Sequence, residues 1–211
     1  MTRFTRLYTH LFCWALQSRP SQLAPYKGLL VWFGDLIFLC ADLLFVPELY
    51  SFLLLIIGRK GTPLTTDQVD MLRPIFRESV DYKKVRLHDR MPKFITKKAY
   101  AFVLWNTINF RSTITKDVLV HEMVHIWQYQ RFGSPYILRA LLAQASKAGY
   151  DYGGIEQLYA GVTSGRAFTD FNFEQQGDII QDAYLQSKGI RGINNAMYEA
   201  IYRYYTSQLS D

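Results

Sequence analysis

The pentapeptide His121-Glu122-Met123-Val124-His125 constrains this chain more than any other stretch of its sequence. On an α-helix, residues four apart lie on the same face, one turn from each other. Two imidazoles at this spacing can bind one Zn²⁺, and the glutamate after the first histidine is placed to act on a water molecule beside the metal. The pattern therefore predicts a helix with His121 and His125 as zinc ligands and Glu122 as the general base.

The flanking residues predict where that helix begins and ends. Thr115 suits the N-cap, Asp117 falls in the first turn, and Gly133-Ser134-Pro135 favours a stop. The alternative is a pair of core histidines on an ordinary amphipathic helix. We favour the metal, because three polar groups clustered on a semi-buried helix need a partner.

The third ligand must come from elsewhere, because a catalytic zinc site has three protein ligands and one open position. Glu174 is the best candidate, since it opens a helical pattern that ends near Gly189. Asp178 lies four residues further on the same helix face, where it is expected to accept the ring N–H of a ligand histidine. Other candidates for the third ligand remain open, namely His88, Asp151, Glu156 and Asp170.

These motifs together resemble a known family. His-Glu-x-x-His followed by a helix carrying Glu-x-x-x-Asp resembles the gluzincin branch of the zincin metallopeptidases. Residues 72–76, 85–88, 120–130 and 173–176 resemble zincin-like domains associated with bacterial contractile injection and type VI secretion systems. The resemblance covers residues 61–185 and leaves residues 1–60 outside it.

The resemblance implies a fold, a ligand set and an activity. It implies an α+β, zincin-like fold, in which the active-site helix packs on a small antiparallel or mixed sheet and the C-terminal half is mainly helical. It implies His121, His125 and Glu174 as Zn²⁺ ligands and Glu122 as the catalytic base. We therefore expect a zinc metallopeptidase that hydrolyses peptide bonds in a protein or peptide substrate.

Some members of this family are toxins that act in the envelope of competing bacteria. The resemblance thus implies a secreted antibacterial effector that works in the periplasm or cell envelope of a target cell, with an immunity protein or a part of the secretion apparatus as a further partner. The alternative is a catalytically silent zincin-like module that binds the secretion apparatus. The intact Glu122 argues against that alternative, because a binding module does not need the base.

Composition and charge limit the domain organisation and the kind of binding partner that we expect. A chain of 211 residues with 49% hydrophobic residues can form one domain with an appendage, which we place at residues 61–211 and 1–60. The net charge of +6 suits an anionic surface. No nucleic-acid-binding motif accompanies the basic residues 83–98, so no nucleic acid is expected as a partner. Cys13 and Cys40 allow at most one disulfide.

The strongly apolar residues 28–58 have two interpretations. The stretch is long enough to span a bilayer, but Asp35, Asp42 and Glu48 interrupt it. It is either a pair of apolar helices packed against the catalytic domain or a membrane-associated hairpin with a polar seam. It begins too late and runs too long for a cleavable signal peptide.

The remaining sequence predicts the walls of the site. A hairpin at residues 100–110 occupies the place of the zincin edge strand that can pair with an extended peptide. Helices are expected at 66–76, 135–148 and 194–208, and the glycine-rich residues 150–169 are expected to be irregular. Tyr150, Tyr152 and Tyr159 are candidates for stabilising an oxyanion.

Overall fold

The computed structural model describes residues 2–12, 28–59, 61–89, 100–190 and 196–210. Within these residues, the chain forms helices and a four-stranded mixed sheet with the strand order β1-β2-β4-β3. This confirms the coarse prediction of an α+β fold with a small mixed sheet and a mainly helical C-terminal half. The strands are β1 (Thr62–Pro63), β2 (Arg86–His88), β3 (Ala101–Leu104) and β4 (Thr107–Phe110). The helices are α1 (Arg3–Phe12), α2 (Leu29–Leu43), α3 (Val46–Ile56), α4 (Thr66–Phe76), α5 (Lys116–Phe132), α6 (Pro135–Ala145), α7 (Gly154–Ser164), α8 (Phe173–Ser187) and α9 (Ala196–Ser207).

The predicted hairpin is β3 and β4, which pair antiparallel. Its turn is formed by Trp105 and Asn106, and Trp105 adopts a φ of 56°. Strand β4 pairs with β2 on its other side, in parallel, and all four of its residues are buried. Among the described strands, β3 therefore lies at an edge of the sheet. Strand β4, which directly precedes α5, is an interior strand.

Helix α5 lies at the centre of the fold. Every residue from Leu119 to Tyr129 is buried, because the helix packs against β3 and β4 of the sheet and against α6 and α8. The helix begins after Thr115 and ends at Gly133, as predicted, and Gly133 adopts a φ of 83°. A helix that is buried all round must satisfy its polar side chains inside the protein, so the motif histidines need partners from neighbouring helices.

Local sequence signals explain the ends of two further helices. The side chain of Thr65 accepts a hydrogen bond from the backbone of Gln68, and the Gln68 side chain accepts one from Thr65 N. Asn172 and Gln175 form the same reciprocal pair at the start of α8. Each pair satisfies two backbone N–H groups that the first helical turn leaves without partners.

The prediction of an irregular stretch at residues 150–169 is wrong, because these residues contain α7. Gly153 and Gly165 flank the helix, both with positive φ. Inside it, Leu158 is fully buried, and its carbonyl accepts a hydrogen bond from the Tyr205 hydroxyl of α9. Packing against α9 thus stabilises α7, which its glycine-rich sequence did not predict because glycine is unfavourable in a helix.

Two of the three acids that interrupt the apolar N-terminal stretch, Asp35 and Asp42, face the body of the protein. Asp35 of α2 forms a buried ion pair with Arg139 of α6. Asp42 Oδ2 accepts a hydrogen bond of 2.8 Å from Ser134 N, at the start of α6. In the described chain, no single helix is long and apolar enough to cross a membrane, although α2 and α3, bent by 58°, pass that test together by length and composition.

Candidate metal centre

His121 and His125 of α5 meet Glu174 of α8 in the protein interior. Glu174 Oε2 lies 3.4 Å from His121 Nε2 and 3.5 Å from His125 Nε2. One ligand atom of each residue lies within 4.8 Å of the others, and all three side chains are buried. Helix α8 packs directly against α5, so its first turn carries the carboxylate to the histidine face. The structure thus brings together the ligand set that was expected from the sequence.

The other ring nitrogen of each histidine has its own partner. His121 Nδ1 lies 3.1 Å from Asp178 Oδ1, in the position expected from the sequence. His125 Nδ1 lies 2.8 Å from Gln128 Oε1. The Gln128 amide nitrogen donates to the carbonyl of Phe173 at 3.0 Å, so its oxygen is the atom that faces the imidazole. His125 therefore donates from Nδ1, and in the neutral ring its Nε2 lone pair points to Glu174.

Glu174 is held from a third helix. Gln144 of α6 donates a hydrogen bond of 2.9 Å to Glu174 Oε1. This contact leaves Oε2 as the oxygen next to both histidines. Three helices, α5, α6 and α8, thus contribute to the orientation of one carboxylate.

The Glu122 side chain bears on whether a cation would fit beside the three predicted ligands. Its side chain is buried, and its Oε2 has no hydrogen-bond partner within the described residues. Burial raises the pKa of this carboxyl group, against the opposing effect of His125 and His121. A buried carboxylate oxygen without a partner is costly, so it calls for a ligand. The two imidazoles and one carboxylate beside it are a donor set that suits Zn²⁺.

The protonation of the cluster depends on the mutual contacts of its members. Burial lowers the pKa of His121, but its hydrogen bonds to Asp178 and Glu174 outweigh this effect and raise the value to about 10. Burial raises the pKa of Glu174, but His125 and His121 outweigh it and hold the value well below its usual range. The metal-free cluster therefore contains at least one positively charged imidazole beside a carboxylate, and a cation can replace that positive charge.

Gly177 allows His121 to lie where it does. A Cβ atom added to residue 177 would come within 2.5 Å of His121 Cε1 and within 2.7 Å of Nε2. The backbone of α8 approaches the imidazole closely because this residue has no side chain. Gly177 lies in the interior of α8, where glycine is unfavourable. A glycine inside a helical pattern is the sequence signal from which this close approach could have been predicted.

The competing ligand candidates lie outside the cluster. His88 Nδ1 lies 3.2 Å from Asn109 Oδ1, and Asp151 accepts a hydrogen bond from Gly153 N. Asp170 accepts one from Ala167 N, and Glu156 is exposed in the first turn of α7. Each of these side chains has a local role or faces solvent.

Tyr150 is the tyrosine at the rim of the cluster. Its ring centroid lies 6.0 Å from that of His121, and the nearby carboxylates of Glu174 and Glu122 add to the effect of burial in raising the pKa of its hydroxyl. The hydroxyl of Tyr152 instead donates to Asp182, and Tyr159 is exposed on α7. Of the three candidate tyrosines, Tyr150 is thus the one that the structure places beside the predicted ligands.

Sequence reasoning missed Gln128 and Gln144. Gln128 lies three residues after His125, so its place on the same helix face was a usable signal. Gln144 carries no such signal, because it reaches Glu174 only through the packing of α6 against α8.

Comparison with known proteins finds similarity to part of one bacterial protein. No family model matches the chain. The chain is 27% identical over 138 residues to the type VI secretion system spike protein VgrG2b of Pseudomonas aeruginosa. The alignment covers 60% of this chain and 13% of the relative. The solved effector domain of P. aeruginosa VgrG2b matches 72% of this chain and 84% of its own length, with 22% identity and a TM-score of 0.45. The chain is thus similar to a small part of a much longer spike protein.

Proposed function

We propose that this chain is a zinc-dependent metallopeptidase. The observation that carries the proposal is the buried convergence of His121, His125 and Glu174 beside an unpartnered oxygen of Glu122. Two imidazoles and a carboxylate leave a position open for water or substrate, as in catalytic zinc sites. The similarity to zincin-like domains in residues 61–185 supports the same reading of these residues.

The residues around the cluster account for amide hydrolysis. His121, His125 and Glu174 would hold the metal, and bound zinc supplies Lewis acidity, which polarises a carbonyl and acidifies water. Glu122 takes a proton from the attacking water and delivers it to the leaving amine. Its buried carboxylate oxygen has no other hydrogen-bond partner among the described residues, which leaves it free to accept that proton. We assign to Tyr150, whose ring lies 6.0 Å from that of His121, the role of donating a hydrogen bond to the developing oxyanion.

We further propose that the chain is an effector exported by a type VI secretion system. The sequence similarity to a type VI spike protein supports this part of the proposal. The net charge of +6 suits a task in the anionic cell envelope of the target bacterium, and an immunity protein is the expected partner in the producing cell.

A matched pair of variants tests the proposal in vitro. Purified wild type should cleave an unfolded protein substrate, Glu122→Gln should lose at least about 100-fold in rate, the lower range for a general base, and Tyr159→Phe should keep full rate. All three proteins should contain the same amount of zinc. A Glu122→Gln variant with unchanged activity would exclude the proposed base, and an inactive wild type with full zinc would favour the silent binding module.

Growth of a bacterial host tests where the chain acts. Expression with an added export signal should arrest growth, expression without it should not, and Glu122→Gln should be harmless in both compartments. Equal toxicity of wild type and Glu122→Gln would show that hydrolysis is not the cause of killing. Toxicity only in the absence of the export signal would indicate that the substrate lies in the cytosol.

A further inference from the structure

Helices α2 and α3 present an apolar surface to solvent. Leu30, Leu44 and Ile37 are 88%, 75% and 68% exposed, and α3 adds Phe52 and Ile56. Leu30, Ile37 and Leu44 are spaced seven residues apart, so they lie on one side of α2 and its end. Soluble proteins rarely expose so many large apolar side chains together, and such surfaces mark interaction sites. We call this surface, residues 29–57 on the side away from α6, the apolar face.

The acidic groups of these helices point away from the apolar face or are paired. Asp35 and Asp42 are buried against α6, where they contact Arg139 and Ser134. Glu48 forms an ion pair with Arg3 of α1. The inward side of α2 thus carries the polar contacts and its outward side is apolar. Because the charged side chains of α2 face the protein interior, its outward surface suits an apolar medium.

Cations border the apolar face. A groove between α3 and the sheet is lined on one side by Glu48, Ser51 and Leu54 of α3. On its other side it is lined by Lys83, Lys84 and Arg86, of which Lys84 forms an ion pair with Asp81. Arg59 follows the last turn of α3 and is exposed. Basic side chains beside an exposed apolar surface match the phosphates that lie just outside the acyl chains of an anionic bilayer.

We propose that the apolar face docks on the anionic surface of a lipid bilayer and lies in its headgroup region. The bend of 58° between α2 and α3 fits this placement, because neither helix alone can cross a membrane, whereas both can lie along its surface. Docking depends on residues 29–59 and the bordering cations, none of which belongs to the metal cluster. Failure of this proposal and failure of the proposed hydrolysis are therefore distinguishable.

Vesicle flotation of the whole chain tests the docking. Wild type should float with vesicles of phosphatidylglycerol and phosphatidylethanolamine and remain largely unbound with phosphatidylcholine alone. Ile37→Glu should reduce the bound fraction at least tenfold, since a charge is placed in the apolar face. Ile190→Glu is the matched control, because Ile190 is 66% exposed but lies after α8, outside the apolar face. Lys83→Gln combined with Arg59→Gln should weaken binding to the anionic vesicles only.

A fluorescent label on Cys40 tests the same contact without a charge substitution. Cys40 is exposed on α2, three residues after Ile37, so it borders the apolar face. In a Cys13→Ser background, an environment-sensitive dye on Cys40 should shift to the blue when anionic vesicles are added. No flotation of wild type, equal flotation of Ile37→Glu, or no spectral shift would overturn the proposal. A lipid-free dimer that Ile37→Glu dissociates would also overturn it, in favour of self-association.

Discussion

Gly177 of α8 lies so close to His121 of α5 that a Cβ atom at residue 177 would come within 2.5 Å of the imidazole. The same helix carries Glu174 on one side of this glycine and Asp178 on the other, and each contacts one nitrogen of the same ring. The position of the imidazole is thus fixed by two carboxylates and by the absence of one methyl group.

Gly177→Ala should therefore weaken zinc binding by at least about tenfold, because the ring must move away from its two carboxylate partners. Alanine favours a helix interior by about 1 kcal/mol over glycine, so the helix itself should not be lost. Zinc affinity, measured by chelator competition, is the decisive readout. Gly28→Ala is the control, since nothing lies within 4 Å of a Cβ there and its φ is 173°. Unchanged affinity in Gly177→Ala would contradict the steric argument.

The ligand set predicts the metal content of purified variants. Wild type purified without added metal should contain close to one zinc per chain, and His121→Ala, His125→Ala and Glu174→Ala should each lose it. Glu156→Ala should keep it, because Glu156 is exposed on α7. Elemental analysis measures all five proteins. Zinc retained in Glu174→Ala and lost in Glu156→Ala would show that the third ligand has been misassigned.

Asp178 and Gln128, which contact the Nδ1 atoms of His121 and His125, should change the zinc affinity without abolishing it. Asp178→Asn and Gln128→Leu should each weaken zinc affinity by roughly 10–100-fold, the range for groups that orient metal ligands. Gln128→Leu removes the acceptor for His125 Nδ1 and also the donor to Phe173 O and Gln176 Oε1, so the free energy of unfolding is measured beside the zinc affinity. Arg131→Leu, on the same helix but away from the cluster, is the control. Wild-type affinity in both test variants would mean that the contacts do not orient the rings.

Zinc binding should strengthen as the pH rises from 6 to 9. His121 must lose its proton before Nε2 can bind a metal, and its pKa in the metal-free chain is raised to about 10. Below that pKa, the release of one proton for each bound ion makes the apparent affinity rise about tenfold per pH unit. Chelator competition at several pH values measures the slope. A pH-independent affinity over this range would contradict a protonated His121 in the metal-free chain.

The buried pair of Asp35 and Arg139 should matter more to stability than the exposed pair of Arg3 and Glu48. Asp35→Ala leaves a buried guanidinium without its carboxylate, and such a loss costs about 3–5 kcal/mol. Glu48→Ala removes a pair that includes a half-exposed carboxylate, which is worth less than about 1 kcal/mol. Urea unfolding measures both. Equal losses in the two variants would show that α2 is not anchored through Asp35.

The sequence by itself determined the helix that carries His121 and His125 and the residues that meet there. His-Glu-x-x-His at helical spacing needs no tertiary information, since the 3.6-residue period places both rings on one face. Glu174 and Asp178 could be found for the same reason, because a second helix presents both from one side. The start of α5 after Thr115 and its end at Gly133 are local signals and could also be predicted from the sequence.

Only the tertiary structure decided which side chains hold these residues in place. Gln144 reaches Glu174 from a different helix, and Gly177 matters only because α8 packs tightly on α5. Helix α7 was missed because its stability comes from contact with α9 rather than from its glycine-rich sequence. The sequence likewise could not predict which way Asp35 and Asp42 face. Their spacing puts both on one face of a helix, but it does not say whether that face packs against protein or lipid.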